Sequence, residues 1–176
     1  LQGRRRGDTD AVLATAKHFA GYGATVGGRE YDSVDMSLRQ LWEAHLPPFK
    51  AACDAGVASI MNAFSDLNGV PATGHRYLLR DVLKGAWAFE GVVVSDWASI
   101  GEMVAHGHAQ DARHAAELAL NAGTDVDMES HAYRQHLPAL VQQGRVKPAL
   151  VDDAVRRVLR LKFELGLFED PYRFSD

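Results

Sequence analysis

Apolar positions in this chain fall into short runs separated by longer segments with helical spacing, the pattern of βα units and a parallel sheet. The first unit takes Val12 to Ala16 as strand and Ser37 to Ala55 as a helical region. Ser37 with Gln40 three residues on has capping-box spacing, Pro47-Pro48 should break or kink that helix, and Gly56 closes it. The second runs from a strand at Val57 to Asn62, through a loop at Asn68-Gly69-Val70-Pro71, to a helix from Arg76 to Trp87. The third has Gly91 to Ser95 as strand, where Val92-Val93-Val94 shows no polar alternation and implies cover on both faces. Helical sequence follows at Ile100 to Ala105 and Ala112 to Asn121. The fourth has Thr124 to Met128 as strand, then helices at Tyr133 to Gln143 and Pro148 to Leu165, with Pro148 suited to the first turn and Gly166 to the stop.

Four parallel βα units predict an α/β fold: the second half of a (βα)8 TIM-like barrel, with a small doubly wound domain as the alternative. Polar residues favour the barrel, because in that fold chemistry gathers where the strands end. Those ends carry Lys17-His18, Met61-Asn62, Asp96-Trp97, Asp125 and Asp127, which are expected to converge on one rim.

With 176 residues, 47% hydrophobic, the chain can build a real core, which excludes disorder and a disulfide-knit miniprotein. A net charge of -4 and a pI near 6.1 give no general reason to bind nucleic acid or anionic lipid. The one basic run, Arg4-Arg5-Arg6, reads as a solvated terminal segment. Cys53 stands alone, so neither an internal disulfide nor a cysteine zinc site can form. No apolar stretch approaches the roughly 20 residues of a membrane span. The chain starts at Leu1 with no export signal before the folded region, as expected of a processed N-terminus or a piece of something longer.

Asp96 is the sharpest candidate. It ends the most hydrophobic strand and precedes Trp97, so it could stand at the barrel mouth as a nucleophile or accept N–H bonds as a helix cap. Lys17-His18 can bind sugar hydroxyls or a carboxylate, Lys17 could form a Schiff base, and the plain alternative is a salt-bridged lysine beside a satisfied histidine. The glycine-rich segment from Gly21 to Glu30 lacks the spacing of a dinucleotide fingerprint, and Arg29 at its end either reaches over the rim or serves as a surface ion-pair partner. His106, His108 and His114 lack a neighbouring cysteine and do not make a metal site. No metal and no cofactor is expected.

Four segments taken together resemble glycoside hydrolase family 3, in particular its bacterial β-glucosidases. They are Lys17-His18-Phe19-Ala20-Gly21-Tyr22-Gly23, Met61-Asn62-Ala63-Phe64 with Leu67-Asn68-Gly69-Val70-Pro71, Gly91-Val92-Val93-Val94-Ser95-Asp96-Trp97, and Phe163-Glu164-Leu165-Gly166-Leu167-Phe168. The resemblance runs from Ala11 to Tyr172. It implies a retaining glycosidase that hydrolyses O-glycosyl bonds of β-glucosides or oligosaccharides, with Asp96 as nucleophile. Lys17 and His18 would bind sugar hydroxyls, with Arg29, Met61 and Trp97 as further substrate contacts, and Phe64 lacks the hydroxyl some relatives carry there. The resemblance also implies a partial barrel domain over residues 1–176, with residues 166–176 starting a linker to an α/β sandwich domain and the other half-barrel missing. In many members the acid/base glutamate comes from that next domain. An Asp/His dyad marks the N-acetylglucosaminidase branch, and Tyr22 stands where its histidine would be, which favours a glucosidase. β-Xylosidase, β-N-acetylglucosaminidase and a Schiff-base aldolase on Lys17 stay open as alternatives. The resemblance implies a periplasmic or secreted setting, with a cytoplasmic one also open. An isolated half-barrel should be poorly soluble or oligomeric, and inactive, because of its open sheet edges.

Overall fold

Pairing in the sheet follows from the β-branched and apolar runs. In a computed structural model describing residues 2–3 and 5–175, strands β1 (Thr15–Phe19), β2 (Ser59–Asn62) and β5 (Val92–Val94) lie parallel in the order β1-β2-β5. A single parallel bridge from Val94 to Val126 adds a fourth strand at the edge. Leu1, Asp176 and, of the basic run, Arg4 lie outside the described residues. Ala16, Ile60 and Val93 turn toward the main core, where Phe19, Leu41, Leu46, Leu78, Leu79, Val82 and Leu83 bury against them. On the other face Thr15 and Lys17 are exposed and Met61 and Val94 half-buried. Helices on one face and an open opposite face are the layout of a barrel segment, where a doubly wound sheet would be covered on both sides.

Helices α1 (Leu38–Gln40) and α2 (Pro47–Asp54) form the first helical region. Ser37 Oγ accepts from Gln40 N at 3.1 Å, and Pro47 starts α2 where its missing N–H costs nothing. Between them Leu41–His45 is π-helical, as is Tyr77–Ala86. A second core joins α3 (Ser99–Glu102), α4 (Ala112–Ala122), α5 (Ala132–Gln142) and α6 (Pro148–Glu164) through Ile100, Met103, Ala116, Leu120 and Leu140. Gly91, just before β5, leaves no room for a side chain: a Cβ there would stand 2.3 Å from Ala58 O. Among the described residues no helix is long and apolar enough to cross a membrane.

Four expectations shift. The first strand lies at Thr15–Phe19 and not at Val12 to Ala16, so Lys17 and His18 belong to the strand itself. The reason is packing: Phe19 and Ala20 fill the core while Val12 is exposed, and the Gln2 side-chain carbonyl takes the N–H groups of Ala14 and Ala58 at the strand's entry. Asn68-Gly69 is the turn of a small hairpin, β3 (Asp66–Leu67) with β4 (Val70–Pro71), both turn residues having the positive φ such a turn needs. The fourth strand shrinks to its bridge because side chains replace backbone partners: Asp125 Oδ2 accepts from Val93 N and Ser95 Oγ from Met128 N. Helical sequence at Ile100 to Ala105 yields only the short α3.

Beneath the sheet Lys84 Nζ meets Asp125 Oδ1 at 2.5 Å, both side chains buried. Burial pulls the Lys84 ammonium down to about 8, and Asp125 opposes that pull. Removing one partner of such a pair strands a buried charge. Asp125→Ala should therefore destabilise the domain by about 3–5 kcal/mol, whereas Lys84→Met/Asp125→Leu should regain much of that loss. Denaturant melts of the two variants compare them directly; equal destabilisation would show that the pair is not held as argued.

Candidate active site

The site is built on a buried polar network. Asn62, fully buried at the end of β2, donates through Nδ2 to Thr124 Oγ1 at 2.9 Å, and its Oδ1 accepts from the Thr73 hydroxyl at 3.0 Å and from Asp96 N at 3.2 Å. Thr73 Oγ1 lies 2.8 Å from Ser99 Oγ, and Thr124 Oγ1 donates to Thr73 O at 2.9 Å. Ser95 N bonds Val126 O, and Ser95 Oγ accepts from Met128 N at 2.8 Å. Backbone at Ser95 and Asp96 is thus tied to β2 and to the fourth strand before any side chain is considered.

Asp96 is 6% exposed. Its Oδ1 accepts from the adjacent Trp97 N at 2.8 Å, and its Oδ2 is buried without a hydrogen-bond partner. The nearest basic atom to that oxygen is His18 Nε2, at 3.4 Å. The helix-cap alternative is not realised: the residue before α3 is Ala98, in the left-handed region, and no side chain caps that helix. A buried carboxylate oxygen with no donor is costly unless something else is to occupy it.

His18 comes from β1, after a cis Lys17–His18 peptide, and its ring lies 4.7 Å from that of Tyr22. Burial holds its imidazole below the usual 6.5, the Lys17 cation adds to this, and Asp96 and Glu30 oppose it. Lys17 is exposed on the open face, beside which Met61 sits at the end of β2 in register with Val94. Trp97, 59% exposed, stands beside the carboxylate on the rim. Asp96, His18, Lys17, Met61 and Trp97 therefore share the strand-end side of the sheet.

Arg29 does not join them by contact. Its side chain folds over Gly27 and makes no ion pair or hydrogen bond to Asp96 or His18. Asp125 and Asp127 also depart from the rim expectation. Asp125 is spent on Lys84 and Val93 N, and Asp127 accepts from Ser130 Oγ at 2.5 Å and Tyr133 N at 3.0 Å, holding the start of α5. Phe64 packs against Tyr31, with ring centroids 4.5 Å apart. Among the described residues no group of three or more His, Cys, Asp or Glu could hold a metal ion. Burial raises the half-buried Cys53 thiol to about 11, which makes it a poor nucleophile.

Sequence reading missed Glu102. Its Oε2 is buried without a partner, burial raises its carboxyl, and the Asp96 charge acts in the same direction. It lies on the short α3 at a position that periodicity does not distinguish. The Thr73, Ser99 and Thr124 hydroxyls were missed as well; nothing short of the fold brings these three together.

The chain matches the glycosyl hydrolase family 3 N terminal domain over residues 1–161. It is 46% identical, over 98% of its length, to the periplasmic beta-glucosidase of Salmonella typhimurium, and 40% identical over 94% to a putative beta-xylosidase of Formosa agariphila. Among solved structures it superposes on the beta-glucosidase of Listeria innocua in complex with glucose with a TM-score of 0.94 at 42% identity, covering 98% of this chain. With isofagomine bound, the TM-score is 0.96. The chain spans 22% of each of those two relatives and 24% of the glucose-bound structure. Family model, curated relatives and solved structures agree with the carboxylate-bearing parallel sheet described above: the chain belongs to glycosyl hydrolase family 3, within the family's N-terminal domain.

Proposed function

We propose that the protein containing this chain is a retaining β-glucosidase and that Asp96 is its nucleophile. The observation that carries this reading is the Asp96 Oδ2 atom: buried, without a donor and facing His18, on a residue whose backbone N–H is held by Asn62. In a retaining reaction Asp96 attacks the anomeric carbon as the glycosidic C–O bond breaks. A second carboxyl about 5–5.5 Å away protonates the departing oxygen, then takes a proton from the water that releases the sugar. That acid/base belongs to a part of the parent protein outside this chain. Lys17 and His18 bind the hydroxyls of the cleaved sugar, and Met61 and Trp97 line its apolar side. Arg29 needs a change of rotamer to reach it.

Family membership turns Lys17 from Schiff-base chemistry toward hydroxyl binding. Tyr22, in place of the histidine of the aminosugar branch, speaks for a neutral sugar. β-Xylosides are the second reading, because relatives named β-xylosidases also match at 40% and 39% identity. The chain itself is part of a barrel domain, with residues 166–176 leading toward the next domain. Its open face and the exposed Val155, Leu159 and Phe163 of α6 are surfaces that the rest of the parent covers, so the isolated chain is inactive.

In the full-length protein, Asp96→Asn should lower turnover of p-nitrophenyl β-glucoside on the order of 10⁴-fold or more while circular dichroism stays unchanged; retention of near-parental activity removes Asp96 from the reaction. A pH profile tests His18. Its imidazole is neutral at pH 7 because its folded value lies below 6.5, and it gains a proton only on acidification. The cation would then pair with Asp96 and blunt the nucleophile. An acid limb in kcat/KM below pH 6.5, weakened in His18→Gln, is the expected result; the same limb in both proteins would assign it to another group.

A further inference from the structure

The loop after β1 holds a contact that the reaction as proposed does not use. Gly21 turns the chain sharply, with φ 88°, and Ala24 packs on the main core, so the intervening Tyr22 has an anchored base on both sides. The Tyr22 ring lies 4.7 Å from the His18 imidazole at an interplanar angle of 47°. Its hydroxyl donates to Glu30 Oε1 at 2.8 Å, across the loop. The phenol is raised above its ordinary value, chiefly by that hydrogen bond, and so remains a donor.

An exposed hydrogen bond of this kind adds little to stability, because water competes for both partners. What it can do is orient. The ring torsion of histidine is broad and not held by rotamer preference, so an imidazole that must aim one nitrogen at a fixed point needs a brace. Here that point is Asp96 Oδ2, at 3.4 Å from His18 Nε2, an oxygen with no hydrogen-bond donor.

We propose that Tyr22 and Glu30 are a positioning pair: Glu30 holds the Tyr22 hydroxyl, the Tyr22 ring braces one side of His18, and His18 is thereby kept aimed at Asp96 and the sugar hydroxyls. This rests on the reading of Asp96 as nucleophile. Neither residue touches the reacting atoms. The negative charge of Glu30 has a separate effect, since it favours the protonated form of His18.

The test uses the full-length protein with Tyr22→Phe, Glu30→Ala, the double variant and the conservative Glu30→Gln, assayed on p-nitrophenyl β-glucoside alongside Asp96→Asn. Tyr22→Phe and Glu30→Ala should each lower kcat/KM about tenfold, inside the hundredfold that a misplacement of about 1 Å can cost. The double variant should be no worse than either single one to within about twofold, since both remove the same link. Glu30→Gln keeps an acceptor for the phenol and should restore most of kcat/KM, while its lost charge moves the acid limb to lower pH. The proposal is overturned if the single variants stay within about twofold of the parent, if their losses multiply in the double variant, or if activity falls only in step with the melting temperature. Asp96→Asn separates the two claims. If it retains activity, the nucleophile assignment fails; if it is inactive while the Tyr22 and Glu30 variants match the parent, only the positioning pair fails.

Discussion

Everything at the rim depends on how the backbone of Asp96 is held. A carboxylate in the bend after a strand would ordinarily spend its oxygens on the next helix, and here it is spared that task because others satisfy the surrounding backbone. Asn62 takes Asp96 N, Ser95 Oγ takes Met128 N, and α3 begins from Ala98 without a side-chain cap. One carboxylate oxygen is left buried and without a donor, which is costly. The proposed chemistry supplies a reason for that cost: the oxygen's partner is the anomeric carbon of a substrate.

The fold makes this arrangement rigid in two layers. Below the sheet, Phe19, Ile60, Val93 and the leucines of the π-helical segment lock the register of β1, β2 and β5. At the sheet's edge, where backbone pairing is reduced to one bridge, Asp125 Oδ2 accepts from Val93 N in place of a ladder bond, and Lys84 holds the other carboxylate oxygen from beneath. Polar side chains above the sheet are then left at the rim, with His18 half-buried beside Asp96 and Lys17 exposed. The Tyr22 loop belongs to the same logic, since it reaches the imidazole from an anchored base.

Much of this was legible in the order of residues. Val92-Val93-Val94 followed by Ser95-Asp96-Trp97 marks a buried strand with a carboxylate at its mouth, Ser37 and Pro148 mark helix starts that the structure keeps, and the helix expected to break at Pro47-Pro48 is divided there, with α2 beginning at Pro47. What period could not show is which polar residue faces which side. Asp125 and Asp127 follow an apolar run just as Asp96 does, yet one is claimed by a buried lysine and the other by the next helix. Sequence pattern alone starts the first strand three residues early, because Val12 is as apolar as Phe19 and only the core decides between them. Arg29 and Glu102 show the same limit in opposite directions, one turned back over its own loop and the other half-buried, within reach of the Asp96 charge, from an unremarkable helix position.

The most direct measurement is covalent trapping. Incubation of the full-length protein with a 2-deoxy-2-fluoro-β-glucosyl fluoride should stall the reaction at the glycosyl-enzyme ester, and peptide mass spectrometry should find the added sugar on Asp96 within the Val92 to Trp97 segment. A sugar ester on any other carboxylate, or turnover without an ester, would contradict the account.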